Sequence, residues 1–306
     1  MPKHILTPED RQEILLKSDR YTAKQLAEQY GCSRSTILKL WMDNNYHKPI
    51  GFSYYVNDNY FSNINSANKA YIVGLIASDG NVYKRSGHGG QLRFCFQNGE
   101  SEYNLLMSIL ADMQSTCQIR TNNVTINDKT YENISATIVS ETIFNDLCNI
   151  GIFPQKTWKM NILDVISHIP MQFLRDFLRG YFDGDGCITM SKRDKNIPSN
   201  FFVNIAIPLS NAILLQEHLN TIGISTMVVE DKREDKYTHK FARIDFFGAN
   251  KYTFLKWIYY GDCLCLQRKY EIALQYCQLV EDNITNRSEN KKAIDMYNNF
   301  INLTDN

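Results

Sequence analysis

The chain has 306 residues, enough for one large domain or two to three small ones with a sizeable buried core, and its 33 Lys and Arg balance 33 Asp and Glu. A net charge of zero excludes attachment to a polyanion by bulk charge alone, although an average conceals a basic face set against an acidic one. The eight cysteines lack zinc-finger spacing, the start lacks an apolar signal core, and no apolar run approaches the roughly 18 residues of a membrane span. The expectation is therefore a soluble protein with reduced thiols, not secreted, in host cytoplasm or an organelle matrix.

Residues 1–45 read as helical. Leu26, Ala27, Tyr30, Ile37, Leu40 and Trp41 form an apolar stripe, Gly31 marks a sharp turn between two short helices, and Ser33 is placed to cap the second. Small Ala27, Gly31 four residues on, and Ile37 with Leu40 packing back give helix-turn-helix spacing. In that arrangement Ser33, Arg34, Ser35, Thr36 and Lys39 face a major groove. A structural or dimerising helical hairpin is the alternative. Residues 46–66 lose periodicity, are rich in Asn, Ser and Tyr, and read as a linker.

From Ala67 the pattern becomes mixed α/β and then repeats. The stretch ANKAYIVGLIASDGNV (67–82) is matched by FLRGYFDGDGCI (177–188), with Gly74 and Gly180, and Asp79 and Asp185, each 106 residues apart. A strand at 91–97 parallels 201–208, and a helix at 102–113 parallels 212–223. Strands around 117–139 parallel those around 225–247, and a helix at 141–151 parallels 251–261. Each half ends near a lysine, Lys156 and Lys269. The order helix-strand-strand-helix-strand-strand-helix, repeated, predicts an α+β pseudo-dimer in one chain. Its boundaries are a first repeat over 67–160, a second over 161–282, and a tail over 283–306.

Gly74 with Ser78, and Gly180 with Gly184, place small residues four apart, a spacing that lets two helix backbones approach closely. Gly80 and Gly186 are expected to end the helices at positive φ. Two such helices packed in parallel bring Asp79 and Asp185 together where free carbonyls already carry partial negative charge. Such a cluster repels itself unless a hard divalent ion sits beside it, which suits Mg²⁺. A calcium-loop reading of DGDG fails, because its sixth and twelfth places hold Ile188 and Asp194 rather than Gly and Glu.

The copies IVGLIASDG (72–80) and LRGYFDGDG (178–186) resemble the paired motifs of single-chain LAGLIDADG homing endonucleases, and the likeness extends over roughly residues 60–280. The N-terminal helical hairpin lies outside that family's core. Ala77 replaces the first motif's inner acid, and Asp183, the inner acid of the second, is read as a structural group.

The resemblance implies two antiparallel β saddles over duplex DNA, with Asp79 and Asp185 binding Mg²⁺ or Mn²⁺ together with backbone carbonyls at Ser78 and Gly184. It implies metal-dependent double-strand cleavage across the minor groove of a long asymmetric target, leaving 3′ overhangs, by a monomer. Lys156 and Lys269 resemble the family's basic residues near the scissile phosphates, with Lys159 and Arg268 as alternative occupants. Arg93, Arg120, Lys192, Arg193, Lys195, Lys232, Arg233 and Arg243 are the candidates for contact with bases. Two other readings stay open: a maturase acting on intron RNA, and a non-cleaving DNA-binding regulator.

Overall fold

The computed structural model describes residues 6–18, 20–44, 46, 54–86, 89–126, 128–190, 201–231, 240–282 and 288–304. The chain opens with three helices, α1 (Pro8–Lys17), α2 (Ala23–Gln29) and α3 (Arg34–Asp43). Thr7 and Thr22 close capping boxes on the first two, and Ser33 caps the third by accepting from Thr36 N. Gly31 adopts φ +60° between α2 and α3, a conformation that only glycine reaches without strain. Ile14, Leu26, Ala27, Ile37, Leu40 and Trp41 form a small core of their own, separate from the main one.

The first repeat runs α4 (Ala67–Ser78), β1 (Asn81–Arg85), β2 (Gly89–Gln97), α5 (Glu100–Asp112), β3 (Arg120–Ile126), β4 (Lys129–Val139) and α6 (Glu141–Ile150). Short helices α7 (Lys156–Lys159) and α8 (Ile162–Ser167) lead to the second. That repeat runs α9 (Leu174–Asp185), β5 (Gly186–Met190), β6 (Phe201–Pro208), α10 (Leu209–Thr221), β7 (Thr226–Glu230), β8 (Phe241–Phe246) and α11 (Ala249–Ile258). Helices α12 (Gln267–Asp282) and α13 (Ser288–Thr304) follow.

Each repeat forms an antiparallel four-stranded sheet, with orders β1-β2-β4-β3 and β5-β6-β8-β7. Alternation decides which way each sheet faces. Val82, Leu92, Phe94, Ile134, Ala136 and Ile138 point from the first sheet into the core, as do Ile188, Val203, Ile205, Ala242 and Ile244 from the second. The intervening residues are left on an open face. The α+β class and the repeated element order are as the sequence predicts. No helix among the described residues is long and apolar enough to cross a membrane.

Three expectations are corrected. Val56, Tyr60, Phe61 and Ile64, assigned to a linker over 46–66, are buried in the main core, so the first repeat begins near residue 54. The tail over 283–306 contains α13, which buries Ala293 and Phe300 and stacks Phe300 edge-on against Trp257. Gly80 and Gly186 do not adopt positive φ; Gly186 is extended, because it pairs with Ile205 as the first residue of β5. Both are needed for space instead, since a Cβ at Gly80 would meet the Ile76 backbone and one at Gly186 the Phe182 carbonyl and ring.

Candidate functional site

The site grows from the seam between α4 and α9, which pack together at the centre of the chain. A Cβ on Gly74 would lie 2.9 Å from both the Phe177 carbonyl carbon and Tyr181 N. One on Gly180 would lie 2.8 Å from the Tyr71 carbonyl carbon and 2.9 Å from Leu75 N. The two contacts are related by the same shift of 106 residues, so the seam has an approximate twofold axis. Gly184 lies against Ser78, so contacts advance together along both helices and the helices run parallel. Their C-terminal ends therefore coincide, with Asp79 as the exposed cap of α4 and half-buried Asp185 ending α9.

Burial and the neighbouring charge of Asp79 push the Asp185 carboxyl up to about 6, against the pull of Lys156 and Lys269. Lys156 donates to the Ser78 carbonyl of its own repeat's motif helix. Lys269 donates to the carbonyls of Phe182 and Asp183, each at 2.8 Å, to Gly184 at 3.4 Å, and to Gly186. Burial lowers the pKa of both ammoniums, and the aspartates resist that shift. Each lysine sits where the helix dipole is negative. The Ser78 and Gly184 carbonyls, expected as metal donors, thus also accept from lysine, which a carbonyl with two lone pairs allows. Lys159 is exposed, and Arg268 is paired with Glu102 at 2.6 Å, so neither replaces the two lysines at the helix ends. Lys269→Met, which strands several carbonyls, is expected to cost about 2–3 kcal/mol, and Lys156→Met about 1 kcal/mol or less, in urea unfolding.

Asp183 is structural, as expected. It accepts from Tyr71 Oη (2.8 Å), Tyr259 Oη (2.5 Å) and Leu266 N (2.7 Å), tying both motif helices to the loop before α12. The symmetry explains why Ala77 needs no acid: its partner position is Phe177, where Asp183 has Tyr71. Polar pairs with polar and apolar with apolar, a correlation readable in the sequence. The sequence did not flag Arg179, which is fully buried, pairs with Asp176 at 2.7 Å and donates to the carbonyls of Ile258 and Leu264 at 2.8 Å.

The remaining candidates scatter. Arg34, Ser35, Thr36 and Lys39 are exposed on α3, while the Ser33 hydroxyl is engaged as the cap. Arg93 and Arg120 lie on the open face of the first sheet. Arg243 lies on that of the second, bound to Asp245 at 2.9 Å. Lys192, Arg193, Lys195, Lys232 and Arg233 lie outside the described residues. A cleft of about 470 Å³, lined by Asp79, Asp183, Glu102 and Arg268, opens beside the helix ends.

The donor set suits a hard divalent ion: two carboxylates and helix-end carbonyls, all oxygen, at a point where burial and the charge of Asp79 hinder the ionisation of Asp185. Among the described residues no third His, Cys, Asp or Glu joins them. The raised Asp185 pKa has a stability consequence. Without metal, ionising Asp185 costs the folded state more than the unfolded one, so stability from this group is complete below pH 4 and lost as pH rises through about 6. Asp185→Asn is expected to gain on wild type by about 2–3 kcal/mol between pH 4 and 7.5 in chelator. Added Mg²⁺ should close that gap. Paired denaturant titrations across this range check both.

Residues 172–258 match the family of LAGLIDADG-like domains, a stretch that holds Asp185 and the second sheet. No curated protein matches. Among solved structures, the chain is similar to the homing endonuclease I-WcaI bound to its DNA recognition sequence, with 13% identity and a TM-score of 0.46 over 71% of this chain and 90% of that one. It is also similar to I-DmoI in complex with DNA and Ca, with 17% identity and a TM-score of 0.41 over 72% and 99%. A third is the meganuclease I-SmaMI bound to uncleaveable DNA, with 13% identity and a TM-score of 0.39 over 74% and 97%.

Proposed function

We propose that this chain is a monomeric, site-specific endonuclease that hydrolyses both strands of duplex DNA and leaves 3′ overhangs. One observation carries the reading: two parallel helices deliver Asp79 and Asp185 to a single point, each beside a lysine of its own repeat. The family match over the second repeat supports it, and the first repeat has the same element order and strand topology. Asp79 and Asp185, with the Ser78 and Gly184 carbonyls, would hold Mg²⁺ or Mn²⁺. When bound, such ions supply Lewis acidity and an activated water.

The chain's own residues do the rest. The Lys156 and Lys269 ammoniums, anchored on carbonyls and partly desolvated, offset the charge that develops on each phosphate. The two open sheet faces position the duplex across the axis, so that each carboxylate serves one strand. The N-terminal helices, with their separate core and exposed Arg34, Ser35, Thr36 and Lys39, extend the footprint. Deleting residues 1–45 should weaken affinity roughly 10-fold or more and leave cutting at saturating protein intact. Gel-shift and cleavage titrations on the same duplex measure both.

The test is selection for cleavage from a randomised duplex pool in Mg²⁺. Recovery of one long asymmetric sequence cut on both strands is expected. Specific binding with no cutting would move the chain to a regulator, and preference for structured RNA over duplex DNA to a maturase.

A further inference from the structure

The two open sheet faces are not chemically equivalent, although strand register makes them superimposable. The pairing Asn81↔Arg93 in the first sheet corresponds to Cys187↔Asn204 in the second, because Asn81 and Cys187 occupy the same place after their motifs. Following that register outward, Arg120 opposite Ser135 corresponds to Val229 opposite Arg243. Cys95 likewise corresponds to Ala206.

The first face presents mainly side chains that make directional hydrogen bonds, with Val124 and Tyr131 exposed at the outer end of β3 and β4. Arg120 and Asn122 are exposed on β3, Gln97 is exposed at the end of β2, and Arg93 and Asn133 are half-buried between them. Arg120 and Arg93 carry no ion pair with an acid among the described residues. The second face presents mostly apolar side chains: Phe202 is 59% exposed, Met227 is 51% exposed, and Ala206 and Val229 lie beside them. Its one arginine among the described residues, Arg243, is held by both carboxylate oxygens of Asp245, at 2.9 and 3.1 Å. Exposed apolar side chains grouped on one sheet face mark an interaction surface. In a major groove, the apolar group available at base edges is the thymine methyl, whereas Arg, Asn and Gln match the acceptors and donors of purine edges.

We propose that the described strands of the two sheets read their parts of the target by different chemistries: β2, β3 and β4 by hydrogen bonds to purine edges, β6, β7 and β8 by contact with thymine methyls, which places thymines under those three strands. This rests on the duplex-DNA reading above and specifies how the substrate is recognised.

The experiment uses the full chain and the duplex recovered from the randomised pool. Deoxyuridine replaces thymine, or 7-deazapurine replaces purine, in one half at a time, and affinity is measured. Deoxyuridine in the second sheet's half is expected to weaken binding roughly 4-fold per contacted thymine, the effect of one buried methyl, and to have little effect in the other half. 7-Deazapurine should show the reverse, at roughly 10-fold per contacted purine. Phe202→Asn and Met227→Asn, both at exposed positions, should each abolish part of the deoxyuridine effect, which assigns that half to β6 and β7. Equal sensitivity of both halves to deoxyuridine, or thymine effects unchanged in both variants, would overturn the proposal. A pool that yields no enriched sequence would instead overturn the DNA reading itself.

Discussion

Asp79→Asn and Asp185→Asn should each lower double-strand cleavage by roughly 10³-fold or more, with duplex affinity within a few-fold of wild type. The amide keeps the shape of the carboxylate but not its charge, so it removes the anionic oxygen donor that a hard cation requires. Asp79 is an exposed cap and Asp185 a half-buried helix end, and neither side chain carries core packing. Loss of activity would therefore not reflect loss of fold. For Asp185→Asn the stability should move the other way, since burial and Asp79 already resist its ionisation. A variant that is more stable and inactive separates a functional carboxylate from a structural one.

Gly180→Ala should destabilise the chain by about 3 kcal/mol or more, enough to lower soluble yield, because its Cβ falls on the Tyr71 and Leu75 backbone rather than on a side chain that can turn away. Gly184→Ala tests the same seam under a different condition. Its Cβ would meet Ser78 Oγ, with Ser78 Cβ at 2.7 Å, so Ser78→Gly should restore most of the loss. No truncation on α4 should rescue Gly180→Ala. Thermal or urea unfolding of the single and double variants measures the coupling.

Much of the fold was legible because the chain repeats it. Gly74 with Ser78 and Gly180 with Gly184 encode a close helix approach, and the constant offset to Asp79 and Asp185 fixes a parallel seam with two acids at one end. The strands were legible by alternation. Other features were hidden for physical reasons. Val56, Tyr60, Phe61 and Ile64 enter the core from irregular backbone, with no period to expose them among Asn and Ser. Helix α13 buries few residues, and its polar surface reads as a tail. At Gly80 and Gly186 glycine was read as a helix stop, whereas the constraint is the space left by the preceding turn. Arg179 carries a charge that pattern reading assigns to solvent, yet Asp176 and two backbone carbonyls satisfy it in the core. Long-range partners of this kind are set by the tertiary fold and leave no local period.

Cleavage of a supercoiled plasmid carrying the selected site, in Mg²⁺ and in chelator, with product ends mapped on both strands, tests the central claim most directly. Linear product with 3′ overhangs in Mg²⁺, no product in chelator, and no linear product from Asp79→Asn or Asp185→Asn is the expected result. Plasmid that is bound yet intact in Mg²⁺, or cut equally in chelator and by both variants, would contradict the assignment of Asp79 and Asp185 as the centre of a metal-dependent nuclease.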